Sequence, residues 1–431
     1  MKNPSVMLPC VLFLAIFFAR PAASTTLRAD LTHVDSGRGF TKRELLTRMA
    51  ARSTARAASL GASAQAATAP VASGGSEYLV HLGVGTPSQQ AVALVLDTGS
   101  DLIWTQCACT ASNCYQQALP VFNPSASGTF GTVSCTDPIC GPKGDLQNYG
   151  CSKDNLCRYG YSYGDKSFTI GTIIEDTFVF SSSAVPSLRF GCGMKNGGRF
   201  TPNESGIAGF GRGPLSLPSQ LNVDRFSYCL TTIGDQGSST VFLGTPDNLG
   251  ANAQSTPFAP TPASGGTSSF YYLSLQGISV GKTLLPLTAS RSDGPIIDSG
   301  TSITIFPEAV FQSLREAFVS QVPLPVANAS ASPIPGMLCF STAQAADPKN
   351  VPVPKLILHL EGADWDIPTQ NYLLEVEDDK GNAGALLCVV ILSAGDLDMT
   401  IIGNFQQQNT HIVYDLQANK MNFAPASCDQ L

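Results

Sequence analysis

A short acidic pattern occurs twice in this chain, and the duplication limits the folds that the chain can adopt. Asp97-Thr98-Gly99 and Asp298-Ser299-Gly300 stand 201 positions apart, each at the end of a short apolar run. About a hundred residues after each copy comes a step of two apolar residues and a glycine, Ile207-Ala208-Gly209 and Ile401-Ile402-Gly403. One copy alone would indicate an ordinary Asx turn. The matched pair with both later steps predicts an internal duplication of a strand-rich unit.

The residue types in these tripeptides suit acid-base chemistry on a peptide bond. Two carboxylates held within hydrogen-bond reach share one proton and titrate as a unit. The ionised member can take a proton from water while the protonated member donates one to a peptide carbonyl oxygen. Gly99 and Gly300 let backbone amides approach the carboxylates without an intervening side chain. Thr98 and Ser299 are expected to hydrogen-bond to the opposite loop and to fix the spacing of the two acids.

Four further features resemble the pepsin family of aspartic endopeptidases, and in detail its nepenthesin-type branch, typical of plants. Trp104 stands seven residues after Asp97, where that family has a tryptophan that supports a flap. The other three match the flap hairpin and the two later steps: YGYSYGDKS (159–167), GIAGFGRGPLSLPSQL (206–221) and IIGNFQQQNTHIVYDLQANKMNFAP (401–425). The second tripeptide is DSG where many relatives have DTG, but the hydroxyl is kept. The resemblance covers roughly residues 77–431.

The resemblance implies an all-β, bilobal pepsin-like fold with a cleft between two related lobes and a few short helices. We expect the N-terminal lobe over residues 76–254 and the C-terminal lobe over residues 255–431, because a stretch rich in Pro, Gly, Ser and Thr (250–269) lies between the duplicated halves. Short runs of Val, Ile, Leu, Phe and Thr between turn residues agree with β-rich lobes. Helices are predicted at Pro307–Val319 and near Pro218.

The same resemblance implies an aspartic endopeptidase in which Asp97 and Asp298 activate water for direct attack on a peptide carbonyl. Ser100 and Thr301 are expected to hydrogen-bond the outer carboxylate oxygens. The expected partners are protein or peptide substrates, and we expect a monomer with no cofactor. The alternative is a catalytically silent relative that inhibits or binds another hydrolase.

A flap over the bound peptide is the second functional element that the resemblance implies. Tyr163 and Gly164 would close over an extended substrate, and Tyr163 would hydrogen-bond to Trp104. Without the resemblance, both aromatic residues would be assigned to the core or an interface, where such side chains most often lie in a strand-rich protein.

The N-terminus predicts secretion. Lys2 precedes an apolar run from Val6 to Ala19, and small residues follow. This run is short for a membrane span, so residues 1–24 are interpreted as a cleaved signal peptide, with a signal anchor as the alternative. The expected destination is the extracellular space or apoplast, with the vacuole as the other choice. No stable membrane insertion is expected.

Residues 25–75 differ in charge from the rest of the chain. They carry a net charge of +4, whereas the residues from position 76 onward carry −13. A basic leader on an acidic body predicts an inhibitory prosegment, and therefore a zymogen. We expect the amphipathic stretch Thr41–Leu60 to lie over the acidic cleft at neutral pH and to leave when carboxylates are protonated. The alternative is a solvated, disordered tail. The acidic body also argues against nucleic acid as a partner.

Thirteen cysteines are present, and twelve remain once Cys10 leaves with the signal peptide. A metal site would need different spacings, so no metal is expected and disulfides are favoured. The resemblance implies these pairs, the last of them separated by only one residue where relatives have two: Cys135–Cys157, Cys140–Cys151, Cys114–Cys192, Cys229–Cys428, Cys339–Cys388 and Cys107–Cys109. Asn203 and Asn328 begin sequons for N-glycosylation.

Overall fold

The computed structural model describes most of the chain. The described residues are 26–65, 78–141, 146, 148–163, 167–181, 183–233, 238–244, 249–250, 252–262, 269–287, 294–343, 345, 351–378, 381–382 and 385–431. The expected signal peptide, residues 1–24, and the flap residue Gly164 lie outside them, as does the end of the expected prosegment, residues 66–75.

Strands dominate both halves. In the first half they are β1 Leu27–His33, β2 Tyr78–Val84, β3 Gln90–Asp97, β4 Trp104–Gln106, β5 Gly131–Thr132, β6 Asn148–Cys151, β7 Cys157–Ser162, β8 Phe168–Phe180, β9 Ser183–Gly197, β10 Gly206–Gly209, β11 Arg225–Cys229 and β12 Ser239–Leu243. In the second half they are β13 Gln254–Pro257, β14 Leu275–Val280, β15 Thr283–Pro286, β16 Ile296–Ile297, β17 Ile305–Phe306, β18 Cys339–Ser341, β19 Leu356–Leu360, β20 Ala363–Ile367, β21 Leu373–Val376, β22 Leu386–Val389, β23 Leu392–Ser393, β24 Ile401–Ile402, β25 Thr410–Asp415 and β26 Lys420–Pro425.

Four α-helices accompany these strands in the described residues: α1 Lys42–Gln65, α2 Leu217–Gln220, α3 Glu308–Gln321 and α4 Asn404–Gln407. The two helices predicted from the sequence are confirmed. Pro307 occupies the N-cap position of α3, and Pro218 lies in the first turn of α2. Proline is tolerated at these positions because the first amides of a helix have no intrahelical acceptor.

One large sheet joins the two halves. Its strand order is β13-β26-β25-β11-β12-β1-β2-β3-β10-β4-β9-β8-β7-β6, with β5 paired to β8. The C-terminal hairpin β25–β26 therefore extends a sheet that begins in the first half. Apolar side chains from both halves pack into a shared main core. This arrangement fixes the two halves relative to each other and places the ends of β3 and β16 near the centre of the molecule.

The duplicated sequence pattern folds into two equivalent strand trios. Strand β10 runs parallel to β3, with Gly209 opposite Asp97, and antiparallel to β4. Strand β24 runs parallel to β16, with Ile402 opposite Ile297, and antiparallel to β17. In each trio the acidic residue lies at the end of its strand, next to the strand that carries the later glycine-ended step. The later steps thus support the loops that carry the two acids.

The N-terminal segment is part of the fold. Strand β1 lies between β12 and β2 and pairs antiparallel with both. Its side chains alternate between buried and exposed, as expected of a strand with one solvated face. Helix α1 follows and packs on the second half through apolar side chains that share a core cluster with Ile303, Ile305 and Phe405: Leu46, Met49, Ala50 and Ala57.

Six disulfides involve all twelve expected cysteines. Two predicted pairs are confirmed, Cys229–Cys428 and Cys339–Cys388. The predicted pairing of the four cysteines between 135 and 157 is wrong, because the structure joins Cys135 to Cys151 and Cys140 to Cys157. The hairpin β6–β7 explains the difference. Cys157 points into the core with Cys140, whereas Cys151 is exposed and meets the half-buried Cys135.

The predicted pairs Cys107–Cys109 and Cys114–Cys192 are also wrong. The structure has Cys107–Cys192 and Cys109–Cys114. Cys107 is buried, and its amide donates to Gly193 O at 3.0 Å, which places it beside Cys192 on β9. Cys109 is two residues further on, beyond Ala108 with φ +48°, and its side chain is half-buried near that of Cys114. Strand pairing, rather than proximity along the chain, decides these bridges.

No helix in the described ranges has the length and apolar character needed to cross a membrane. Within the same ranges, no cluster of three or more His, Cys, Asp or Glu side chains has the arrangement of a metal site.

Candidate active site

The two acidic loops meet at the centre of the molecule. Asp97 and Asp298 are fully buried, and their loops are tied by reciprocal hydrogen bonds. The Thr98 amide donates to Ser299 Oγ at 3.0 Å, and the Ser299 amide donates to Thr98 Oγ1 at 2.9 Å. Ser299 Oγ in turn donates to Leu96 O at 2.9 Å. These cross-loop bonds, which the sequence predicts, hold the two carboxyl groups at a fixed separation.

Backbone amides and hydroxyls contact each carboxyl group in nearly the same way. The Gly99 amide donates to Asp97 Oδ1 at 3.1 Å, and the Gly300 amide donates to Asp298 Oδ1 at 2.8 Å. Ser100 Oγ donates to Asp97 Oδ2 at 2.5 Å. A Cβ at position 300 would collide with Asp97 Oδ1, so glycine is required by the close approach of the loops.

The hydroxyl on the second acid is placed slightly differently. Thr301 Oγ1 donates to Asp298 Oδ2 at 2.6 Å. Asp298 Oδ2 also accepts a hydrogen bond from Arg56 of the N-terminal segment. In contrast, Ser100 donates to Asp97 Oδ2, whereas Arg56 donates to the other oxygen, Asp97 Oδ1. The prediction that the hydroxyl takes the outer oxygen therefore fits Asp97 better than Asp298.

An arginine from the N-terminal segment lies between the two acids. Arg56, on helix α1, donates from Nε to Asp298 Oδ2 at 2.8 Å. Its Nη2 atom lies 3.1 Å from Asp97 Oδ1 and 2.7 Å from Asp298 Oδ2. One nitrogen thus contacts both carboxyl groups, which places their oxygens close together. The Arg56 side chain is only 1% exposed, so it excludes solvent from the space between the acids.

Burial and charge shift the pKa values at this centre. Burial raises the pKa of Asp97 to about 6. Attraction by Arg56 opposes the rise, repulsion by Asp298 adds to it, and hydrogen bonds from Ser100 and Gly99 lower it. Burial disfavours the charge of Arg56, yet attraction by both carboxyl groups outweighs it and raises the pKa of that guanidinium. Arg56 is therefore a permanent cation at the dyad.

The flap aromatics lie beside this centre. Tyr163 is at the end of the β7 side of the hairpin formed with β8, and its amide donates to Ser167 O at 2.7 Å. Trp104 Nε1 donates to Tyr163 Oη at 2.5 Å, as the resemblance implies. Phe200 packs edge-on against Trp104, and Tyr115 stacks on Phe200. These rings form one aromatic wall, and the charge of Asp97 acts on Tyr163 at one end of it.

Polar contacts anchor helix α1 at several points besides Arg56. Arg48 Nη2 and Arg52 Nη1 contact Asp35 at 2.9 and 3.1 Å, within the same segment. The Ile303 amide donates to Ser53 Oγ at 2.8 Å, and Arg43 Nη1 donates to Glu377 O at 2.9 Å. The helix is thus fixed to the second half at two points that precede Arg56.

The sequence singled out neither Arg56 nor Glu204 as a site residue. A signal for Arg56 was present, because Arg48, Arg52 and Arg56 repeat every four residues and so share one helix face. Glu204 is fully buried beside Thr201 and Tyr115, and Arg52 exerts an attraction on it. Nothing in its immediate sequence indicates burial, since it is the middle residue of a sequon.

The two sequons differ in their surroundings. Asn203 Nδ2, the atom that would carry a glycan, donates to Val34 O of the N-terminal segment at 2.8 Å. Its side chain is half-buried, and the following Glu204 and Ser205 are buried. Asn328 is exposed in a loop after α3. A glycan on Asn203 conflicts with the contact to Val34, whereas Asn328 is free of that constraint.

Family models match both halves of the chain. Residues 78–245 match the model described as xylanase inhibitor N-terminal, and residues 270–425 match that described as xylanase inhibitor C-terminal. Aspartic proteinase nepenthesin-1 from Nepenthes gracilis is 40% identical over 94% of this chain and 91% of its own length. Aspartic proteinase nepenthesin-2 from the same species is 38% identical over 93% and 90%, respectively.

Solved structures with the same fold include proteins of different kinds. Conglutin gamma, a basic 7S globulin from lupine seeds, superposes with a TM-score of 0.67 at 16% identity, over 94% of this chain and 98% of its own. An aspartic proteinase from Irpex lacteus superposes with a TM-score of 0.58 at 16% identity, over the same shares. At these identities the likeness concerns the fold alone.

Proposed function

Because this chain belongs to the pepsin-like aspartic proteinases, in their nepenthesin-type plant branch, we propose that it is a secreted endopeptidase made as a zymogen. Asp97 and Asp298 are its catalytic pair, and residues 25–75 are the inhibitory prosegment. The observation that carries the proposal is the position of Arg56, a cation from outside the two lobes that contacts both buried carboxyl groups. Such a contact requires two carboxyl groups held close together, as the proposed mechanism also does.

The geometry supports direct attack by water. Once Arg56 leaves, the space between the acids can take a water molecule and the peptide carbonyl. The ionised carboxylate accepts a proton from water while the protonated partner donates its proton to the carbonyl oxygen, which gives a tetrahedral diol. Collapse of the diol breaks the C–N bond: the carboxyl that gained the proton gives it to the leaving amine, and the other carboxylate takes a proton back from a diol hydroxyl, which leaves a carboxylic acid product and the dyad with its one shared proton. No covalent enzyme intermediate is formed.

The remaining predicted residues support this step. The cross-loop bonds of Thr98 and Ser299 hold the acids so that they share one proton. The hydrogen bond from Ser100 lowers the pKa of Asp97 and so favours its ionised form, and Thr301 donates a hydrogen bond to Asp298. Trp104 orients the Tyr163 hydroxyl, so that the flap can close over an extended peptide.

The same contacts explain inhibition before maturation. Attraction by Arg56 lowers the pKa of Asp97, which burial nonetheless keeps at about 6. By linkage, Arg56 binds more tightly when Asp97 is ionised. The contribution of this ion pair is present above about pH 6 and is lost as the pH falls through that value. Acid therefore weakens the hold of the prosegment.

Secretion is supported by the six disulfides, since such bonds persist in oxidising compartments. The apolar run from Val6 to Ala19 supports the same destination. We place the protein in the extracellular space or apoplast, with the vacuole as the other choice. Asn328 is the proposed glycosylation site.

Digestion of an unfolded protein at pH 3 to 7 tests the proposal, with the precursor incubated in acid first. We expect activity that pepstatin blocks, together with a shorter form lacking the N-terminal segment by intact mass. Asp97→Asn should abolish the activity, and Asp154→Asn, which changes an exposed turn, should retain it. Full activity without any trimmed form would refute the zymogen, and activity in Asp97→Asn would refute the catalytic pair.

A second candidate function is inhibition of another hydrolase. The matching family models are described as halves of a xylanase inhibitor, which favours a xylanase as the bound enzyme. The complete dyad and the hydrogen-bonded flap favour catalysis instead. Titration of a xylanase with the matured protein separates the two functions. Tight binding without peptide cleavage selects the inhibitor.

A further inference from the structure

Glu204 carries a buried carboxyl group that the proposed mechanism does not use. Its side chain is fully buried, and its carboxyl oxygens have the hydroxyl and amide of Thr201 close by but accept no hydrogen bond of good geometry from a described residue. The nearby hydroxyls of Thr201 and Tyr115 are buried, and neither makes a hydrogen bond of good geometry within the described residues. Unsatisfied buried polar groups are rare in native proteins, and a cluster of them requires an explanation.

The cluster lies on the wall of the cleft that carries the flap support. Glu204 comes two residues before β10, the strand beside Asp97, and its amide donates to Thr201 O at 3.1 Å. Tyr115 stacks on Phe200, which packs edge-on against Trp104. The row of aromatic rings that reaches Asp97 at Tyr163 thus extends to Glu204 at Tyr115.

A prosegment cation faces this carboxyl group. Burial raises the pKa of Glu204 to about 8, while the Thr201 hydroxyl and the charge of Arg52 act against the rise. Arg52 is buried, and its Nη1 and Nη2 atoms donate to Asp35 Oδ2 at 3.1 and 3.2 Å. Both Arg52 and Asp35 belong to the segment that maturation removes. We expect their departure to admit water to Glu204, which removes the burial that raises its pKa, so that the group is a carboxylate at pH 5.

The distance between Arg52 and Arg56 indicates how far the Glu204 site lies from the dyad. Arg52 lies one helical turn before Arg56, which is about 6 Å along the axis. Two residues of an extended peptide span about 6.6 Å, and their side chains point to the same face. A substrate residue two positions from the one at the dyad can thus place its side chain where Arg52 lies.

We propose that Glu204 forms a subsite in the mature enzyme for a lysine or arginine side chain of the substrate, about two residues from the scissile bond. The proposal rests on the proposed peptidase function and names the class of peptide that the cleft prefers. A carboxylate paired with a cation in a partly desolvated site gives a strong, charge-assisted hydrogen bond. We expect a preference in kcat/KM on the order of tenfold for lysine over an uncharged side chain of equal length.

Matched peptides test the subsite with the activated enzyme at pH 5. Each quenched fluorescent peptide has one cleavable site, and lysine or norleucine is placed in turn at each of the three positions on either side of it. Wild type should show a lysine-to-norleucine ratio of about ten at one position. The ratio should fall to about one in Glu204→Gln and be partly kept in Glu204→Asp. Glu316→Gln, an exposed acid on α3, should keep the wild-type ratio.

The outcomes separate the two proposals. Equal cleavage of lysine and norleucine peptides by wild type at every position would overturn the subsite and leave the peptidase function intact. An unchanged ratio in active Glu204→Gln would also overturn it. If wild type cleaves none of the peptides and no unfolded protein, the peptidase function fails, and the subsite fails with it. The wild-type ratio decides the matter even if Glu204→Gln does not fold.

Discussion

The contact of Arg56 with both acids predicts how strongly the N-terminal segment keeps the dyad of the precursor covered. We consider Arg56→Gln, which removes the charge and keeps much of the side-chain length. Arg56 is 1% exposed and lies within 3.1 Å of both carboxyl groups. Removing one member of a buried ion pair costs about 3 to 5 kcal/mol. The lower figure applies here, because the acids that remain can share a proton.

A loss of about 3 kcal/mol corresponds to about 150-fold in the equilibrium between closed and open precursor. Binding of pepstatin to the dyad measures this equilibrium, since apparent affinity scales with the fraction of open molecules. At pH 6.5 we expect the apparent Kd for Arg56→Gln to be about 150-fold below that of the wild-type precursor. Arg56→Lys should give an intermediate value, because one ammonium group replaces a forked guanidinium. Intact mass must show that no trimming has occurred.

Lys42→Gln is the matched control. Lys42 is also a cation of α1, but it is exposed at the start of the helix. Its replacement removes the same charge from the segment and should leave the apparent Kd within about twofold of wild type, as is usual for an exposed charge. Equal Kd values for Arg56→Gln and Lys42→Gln would show that net charge, or the apolar packing of α1, closes the site instead of the guanidinium. The reasoning would then be refuted.

Three further predictions concern disulfides, the flap and glycosylation. Removing the disulfide Cys229–Cys428, whose cysteines are 199 residues apart, should lower the free energy of unfolding by about 5 kcal/mol. Removing Cys109–Cys114, with a separation of 5, should lower it by about 2 kcal/mol. Equal losses in denaturant titrations would contradict this prediction. Trp104→Phe keeps an aromatic ring but loses the hydrogen bond to Tyr163, so kcat/KM of the matured enzyme should fall about tenfold at pH 4. An unchanged kcat/KM would exclude a role for Trp104 in orienting Tyr163. Glycopeptide mass spectrometry of the secreted precursor should find a glycan on Asn328 and none on Asn203, because the side-chain Nδ2 of Asn203 donates to Val34 O. A fully glycosylated Asn203 would show that this contact does not form.

The parts of the site that are local in sequence were predictable. Asp97, Thr98 and Gly99 are adjacent in the chain, and the duplicated pattern indicated their partners in the second half. A tripeptide that must supply an acid, a hydroxyl and a backbone without a side chain allows few other residue types at its three positions. The hydrogen bonds across the loops follow from this chemistry and needed no knowledge of the whole fold.

The remaining features depend on contacts between distant segments. The bridge Cys107–Cys192 is set by the amide of Cys107 pairing with Gly193, and no spacing along the chain reveals that register. Glu204 is fully buried at a place where Arg52 and Asp35 of the N-terminal segment act on its charge, and these residues are distant from it in the chain. The charge of residues 25–75 predicted a cover on the cleft, but the choice of Arg56 depends on how α1 is docked.

Strand β1 gives the proposed prosegment a structural role in addition to the proposed inhibitory one. It hydrogen-bonds to β12 on one side and β2 on the other, so it is an interior member of the sheet that joins the lobes. A polypeptide synthesised without it would present two open sheet edges during folding, and such edges promote aggregation. We therefore expect residues 25–75 to assist folding of the sheet, so that recombinant production should start from the complete chain.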